Sequence, residues 1–327
     1  MSSCYQNNLR NAAKLFALSS ILLLPGCSIT KFVGTQALSQ QVGYVNKADN
    51  EVAKLTRINE RVWTFGHHFD RNLVIDTDAG LVIVDPFSAE MVAALRRELL
   101  KAGITKNVHT LIYSHYHMDH TSGGADLQPQ NVLCHEKCQS YWDKFPADET
   151  VSVLPVTQTI SGDTNLVIGG VRIAMIYLDQ SHTDTNFGVY LPDDEVLFLA
   201  DTVGIRSLLP AGGVSVFMPD YFASLEMLSK LDFKHFVSSH FQWGAKSDFL
   251  EAVEFQQDSR RWIKEAVLKA KADNPGELPF LNVKKGLPSA FDTYFVKMEE
   301  KYGDWHGFDA QILPTFLNGF LAYHVGT

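Results

Sequence analysis

The stretch that most constrains the fold is Ser114-His115-Tyr116-His117-Met118-Asp119-His120, entered directly from the apolar run Val108 to Tyr113. Four metal-competent side chains, His115, His117, Asp119 and His120, fall within six residues of a chain that holds 12 histidines. The apolar run reads as a strand. At a strand end, His115 and His117 point the same way, because side chains alternate with a period of two. Asp119 and His120 follow the turn and can face a second position a few ångströms away. Gly123 and Gly124 let the backbone fold tightly around the loop. Imidazole and carboxylate donors suit Zn²⁺, Fe or Mn²⁺. The chain must therefore fold so that a strand end carries this loop to a metal.

The rest of the body alternates between two periodicities. Residues 61–65, 72–76 and 81–84 are short apolar runs that predict strands, with Asp78-Ala79-Gly80 as a turn. From Ser88 the pattern becomes helical. Met91, Val92, Leu95, Leu99 and Leu100 share a face, Ser88 can cap, and Gly103 stands where the helix would stop. Further strands are predicted at 131–134, 165–168, 171–178, 187–191, 195–200 and 233–238. Helices are predicted between 135 and 145, from a cap at Asp220 to Lys230, and from Ser247 to about Lys271. Strands and helices interleave, so the class is α/β or α+β. The stretch from 275 to 327 carries several prolines and glycines and reads as an irregular, partly helical tail.

The His-x-His-x-Asp-His run resembles the metallo-β-lactamase superfamily, and three later segments extend the likeness. Ser181-His182-Thr183 follows a strand, Leu199-Ala200-Asp201-Thr202 ends the next hairpin, and Ser238-Ser239-His240 ends another strand. The resemblance covers roughly 55–270 and implies a four-layer αββα sandwich with metals at one edge of the two sheets. It implies that His115, His117 and His182 bind one metal, that Asp119, His120 and His240 bind the other, and that Asp201 bridges both. The two divalent ions would be Zn²⁺, with Fe or Mn as alternatives. A metal-bridging hydroxide would be the nucleophile, and Asp119 would both ligate and orient it.

Other residues are read beside this set. His67 and His68 precede the first hairpin and are candidates for touching substrate, as are Arg206 and Trp243. Asp85 is either a partner of a ligand histidine or a helix-start residue. His109, His135, His235, His306 and His324 are assigned structural or surface roles.

Within the family, the bridging Asp201 argues against a β-lactamase, which generally carries Cys or Ser near that position. The retained His117 argues against the flavo-diiron oxygen reductases, which have Glu there. Lys+Arg total 28 against 37 Asp+Glu, a net charge of −9, so no nucleic-acid partner is expected. The branch that fits is similar to glyoxalase II and the lactonases, acting on a small-molecule ester, lactone or thioester. The alternatives are an iron-dependent oxidoreductase of the sulfur dioxygenase kind, a β-lactamase, or a metal-binding accessory lipoprotein.

The first 26 residues contain no Asp or Glu and carry Arg10 and Lys14 ahead of a ten-residue apolar run, Leu15 to Leu24. Ten residues are too few to cross a bilayer core as a helix, and the pattern is that of a signal peptide. Leu24-Pro25-Gly26-Cys27 resembles a bacterial lipobox, which implies acylation at Cys27 and a membrane partner through a lipid anchor. Loss of Arg10 and Lys14 would take the net charge from −9 to −11. Ser28, rather than Asp, after the cysteine implies the outer membrane, facing the periplasm. The expected organisation is a signal peptide at 1–26, a tether at 27–50, the catalytic domain at 51–272 and a packed C-terminal extension at 273–327. Cys134 and Cys138 can pair in an oxidising compartment, but a four-residue spacing is awkward to close, so buried thiols are expected.

Overall fold

A computed structural model describes residues 51–144, 153–209, 217–273 and 286–325. The expected signal peptide, tether and acylated Cys27 lie outside the described residues. The chain divides into two compact units, 51–205 with 217–252, and 206–209 with 253–273 and 286–325.

The first unit contains two sheets. Seven strands form the first in chain order: β1 (Glu51–Arg57), β2 (Val62–His68), β3 (Asp70–Thr77), β4 (Gly80–Val84), β5 (Val108–Ile112), β6 (Asn131–His135) and β7 (Gln158–Ile160). The pairs from β1 to β4 are antiparallel, and those from β4 to β7 are parallel. The second sheet is built from β8 (Thr164–Ile168), β9 (Val171–Tyr177), β10 (Phe187–Leu191), β11 (Val196–Leu199), β12 (His235–Ser238) and β13 (Trp243–Ala245), in reverse order across the sheet.

Alternation along the strands decides the layers. Leu73 and Ile75 face one way and pack with Val82, Val84 and Ile112 against Ile173, Val189, Phe198 and Val237 of the second sheet. Val74, Leu81, Ile83 and Leu111 face the other way, onto helix α1 (Ala89–Lys101). Each such side chain, fully buried, contributes about 1.5–3 kcal/mol. Helix α1 starts as expected, with Ser88 Oγ accepting from Met91 N at 3.2 Å, and Gly103 beyond its end takes φ +75. Leu100 departs from expectation. It is 64% exposed, and Ala94 takes a place on the buried face.

Two short helices follow β5 and β6: α2 (Met118–Thr121) and α3 (Cys138–Trp142). Helix α4 (Met218–Ser229) buries Leu225 and Leu228, and its Ser224 Oγ donates to Leu178 O just beyond β9. Asp220 does not cap it. The helix begins two residues earlier, with Pro219 in its first turn, and Asp220 Oδ2 instead accepts from Gln180 N at 3.4 Å. At the start of helix α5 (Lys246–Asp273), Phe249 packs on Phe233 and on Phe236 of β12. The layer sequence is therefore helix, sheet, sheet, helix.

Cys134 and Cys138 form a disulfide, contrary to the expected thiols. The turn at Glu136-Lys137 brings their Cα atoms to 6.3 Å, inside the ordinary range for such a bond. Closure of a four-residue separation is thus accommodated by a strand end meeting a helix start.

The second unit is helical. The remainder of α5, with α6 (Gly286–Tyr302) and α7 (Phe308–Val325), encloses a core of Phe255, Ile263, Tyr294, Met298, Trp305 and Phe316. Where it is described, the expected tail is helical. Pro288 falls in the first turn of α6, where a missing N–H costs little, and among the described residues of this unit Pro314 sits inside a helix. Asp258 is buried and bonds Lys301 Nζ and Tyr302 Oη, both at 2.8 Å.

Candidate metal centre

Every element that supplies a donor ends at the same edge of the two sheets. Past β5 the backbone continues through Tyr113, whose N–H donates to Leu133 O, and then turns. His115 is fully buried in this turn, and His117 stands at the N-terminus of α2, which presents Asp119 and His120. His182 follows β9, Asp201 follows β11, and His240 follows β12. The loop needs the glycines expected of it. A Cβ on Gly123 would lie 2.5 Å from the Ser88 backbone.

Asp201 is the centre of the arrangement. Its Oδ2 lies 3.2 Å from His120 Nε2, 3.3 Å from His182 Nε2 and 3.7 Å from His115 Nε2, and its Oδ1 lies 2.9 Å from His240 Nε2. His117 Nδ1 is 3.1 Å from His182 Nε2. Asp119, whose side chain is 67% exposed, reaches His120 Nε2 at 3.6 Å. Two donor groups result: His115, His117, His182 and Asp201, and Asp119, His120, Asp201 and His240. In each, the donor atoms lie within 4.8 Å of one another. Asp201 holds φ +50, a left-handed conformation that Asp tolerates better than most residues.

The donor set fits metal ions. His115 Nε2 and His120 Nε2 are buried and make no hydrogen bond, which is costly for a polar atom. Burial, reinforced by the positive field of His120, pushes the His115 pKa well below the ordinary histidine value. Burial and His182 bring His117 down to about 4. Both rings are thus neutral, with lone pairs to offer. Burial also opposes protonation of His120 and His240, but the Asp201 charge overrides it, lifting His120 well above its usual range and His240 to about 9. The Asp201 carboxyl is held well below the carboxylate range, since His120 and His240 outweigh its own burial. A buried carboxylate on which four ring nitrogens converge within 3.7 Å marks a place built for positive charge.

Asp85 contacts one of the donor histidines and lies under the loop that carries them. Its Oδ2 lies 3.0 Å from His120 Nδ1 and accepts from Ser114 Oγ at 2.6 Å, while Oδ1 accepts from Ser114 N at 2.8 Å. Ser114 Oγ is in turn 2.9 Å from His115 Nδ1. Sequence reasoning passed over Ser114, and also Asp70, whose Oδ1 lies 3.1 Å from His240 Nδ1. It missed Phe69 as well, whose ring stacks on His240 at 5.1 Å. Asp70 and Phe69 carry no spacing signal; a strand pairing across 170 residues puts them there.

The remaining candidates are placed differently. Trp243 packs against the core between the sheets, 6.2 Å from the His235 ring. Arg206 belongs to the helical unit, where it pairs with Asp304 at 2.6 Å and lies over Trp305. His67 and His68 sit at the end of β2, their rings 4.4 Å apart. A cleft lined by Tyr116, Gln180, His182, Thr183, Asp184 and Phe217 opens beside the centre.

The sequence profile of the metallo-beta-lactamase superfamily matches residues 72–240, the span that contains all seven donors. The chain belongs to this superfamily. Among superfamily relatives, it is 32% identical over 214 residues to the 2,4-dinitroanisole O-demethylase subunit alpha of Nocardioides sp. (strain JS1661). That match covers 63% of this chain and 61% of the relative, so it spans less than two thirds of that subunit. The chain is 25% identical over 221 residues to the metallo-beta-lactamase type 2 of Bacillus cereus, covering 62% of this chain and 82% of the relative. A solved metallo-beta-lactamase from Pontibacter korlensis superposes with a TM-score of 0.53 at 22% identity, covering 62% of this chain and 97% of that one. This last likeness is one of superfamily fold.

Proposed function

We propose that the protein is a dinuclear metal-dependent hydrolase of a small-molecule ester, lactone or thioester. The observation that carries this is the position of Asp201, one carboxylate shared by two donor groups. His115, His117 and His182 would hold one ion, Asp119, His120 and His240 the other, and Asp201 both. Two divalent ions, zinc foremost and iron or manganese otherwise, supply Lewis acidity and a water whose pKa falls toward about 7. The protein does the rest. Asp119 stands at the solvent edge of the centre, placed to orient a water and accept its proton. Asp85 and Ser114 fix the rings of His120 and His115. The cleft beside His182 offers Tyr116 and Phe217 as an apolar wall for the substrate body and Gln180 and Thr183 as polar contacts.

The O-demethylase likeness favours a second substrate class, an activated aryl methyl ether. Hydroxide added at the ring carbon expels methoxide, giving a phenol and methanol from the ether and water with no oxidant. It needs the same centre and the same cleft.

The test is metal content per purified chain, followed by a panel of ester, lactone, thioester, β-lactam and nitroaryl methyl ether substrates. Two metal equivalents with turnover abolished by chelation are expected. One equivalent of iron would favour the oxidoreductase, and no metal even after reconstitution would overturn the assignment. We propose also that Cys27 anchors the protein to the outer membrane, facing the periplasm; labelled fatty acid should enter the wild type and not Cys27→Ser.

A further inference from the structure

A third group of metal-competent side chains stands apart from Asp201. His67 and His68 close β2, and Glu90 lies in the first turn of α1. Each offers a donor atom, and these atoms lie within 4.8 Å of one another. In an unbroken strand, adjacent residues point to opposite faces, so two neighbouring imidazoles would not meet. Here His68 takes φ +56, a conformation uncommon outside glycine. The turned backbone brings the two rings edge-on at 4.4 Å. Residues held in such conformations cluster at functional sites.

The three side chains are graded in burial. His67 is nearly enclosed, whereas His68 and Glu90 are exposed, so a cation can enter from solvent and reach an inner ligand. Arg97, further along α1, adds positive charge nearby, so a cation here would be held less tightly than one beside Asp201.

We propose that His67, His68 and Glu90 bind a separate divalent transition-metal cation of the zinc class, joining the end of β2 to the start of α1. Two imidazoles and one carboxylate suit such an ion and leave positions for water. The clamp stands next to the residues that support His240, since Phe69 and Asp70 follow His68 directly. Its occupancy would steady the stacking of Phe69 on His240 and the approach of Asp70 to His240 Nδ1.

The experiment is equilibrium dialysis of the full chain against Zn²⁺, with zinc counted by elemental analysis in the wild type, His68→Asn and Glu90→Gln. Asn keeps the left-handed backbone and removes the imidazole; Gln at an exposed position leaves the fold intact. Each variant is expected to bind one zinc equivalent fewer than the wild type. His68 and Glu90 are not among the donors gathered at Asp201, so each variant leaves that centre's own ligands in place. Equal zinc content in all three proteins would overturn the clamp.

Discussion

The Asp85 carboxylate lies 3.0 Å from His120 Nδ1, while Nε2 of the same ring lies 3.2 Å from Asp201. One carboxylate thus fixes which nitrogen carries the proton and which one faces the centre. A proton on Nδ1 leaves the Nε2 lone pair free. Through Ser114 the same carboxylate reaches the His115 ring as well.

Replacing Asp85 with Asn should reverse that polarity. The amide donates to Nδ1, the proton moves to Nε2, and His120 can no longer ligate in that tautomer. Metal affinity is expected to fall about 10–100-fold. Metal retained after dialysis measures it, and near-UV circular dichroism confirms that the core is unchanged. Undiminished retention would mean that Asp85 is only a packing residue.

Asp201→Asn should lose metal and turnover together. Asn tolerates the φ of +50 seen here, so the backbone survives and only the charge is removed. The loss should exceed that of Asp85→Asn, because four ring nitrogens surround this carboxylate within 3.7 Å. Full metal content with full activity would remove the bridging assignment.

Gly123→Ala should damage the centre from a distance. The added methyl would sit 2.5 Å from the Ser88 backbone, and neither segment can yield without moving the histidine loop or the cap of α1. A loss of about 1–3 kcal/mol is expected, with reduced metal content. Gly162→Ala, which meets nothing within 4 Å, is the control. Matching urea midpoints for the two variants would contradict the close approach.

Asp258→Asn should weaken the helical unit in a pH-dependent way. Burial raises the Asp258 pKa, but bonds from Lys301 and Tyr302 outweigh it and hold the carboxyl below its usual range. A carboxylate depressed on folding adds stability above its unfolded pKa and loses it as pH falls through the folded value. The variant should therefore be about 1–3 kcal/mol less stable at neutral pH, with the gap closing in acid. Urea unfolding at a series of pH values checks it; a constant gap would sink the charge explanation.

Much of the centre could be read from local patterns. His115, His117, Asp119 and His120 share one loop, and His182, Asp201 and His240 each follow an apolar strand, so chain order alone arranged them. Ser88 and Gly103 marked helix α1 because capping is a short-range effect. Asp70 and Phe69 could not be read, since their role exists only where β3 meets His240 across the fold. Leu100 misled because helical spacing does not say how wide the buried face is. The short strands β7 and β13, three residues each, are defined by their neighbours and carry too few residues for a period. Arg206 promised a cation for substrate, but Asp304, 98 residues away in the chain, is its partner.

The two sheets divide the first unit cleanly along the chain, β1 to β7 before residue 161 and β8 to β13 after 163. Each donor group draws two residues from each half: His115 and His117 with His182 and Asp201, Asp119 and His120 with Asp201 and His240. Neither half alone owns a complete coordination set. Ions bound there would act as staples between the two sequence halves, much as a disulfide ties distant segments, but released by a chelator instead of a reductant. A chain cut at 161–163 would regain activity only through reassembly, and the metal itself would report that the halves had found each other.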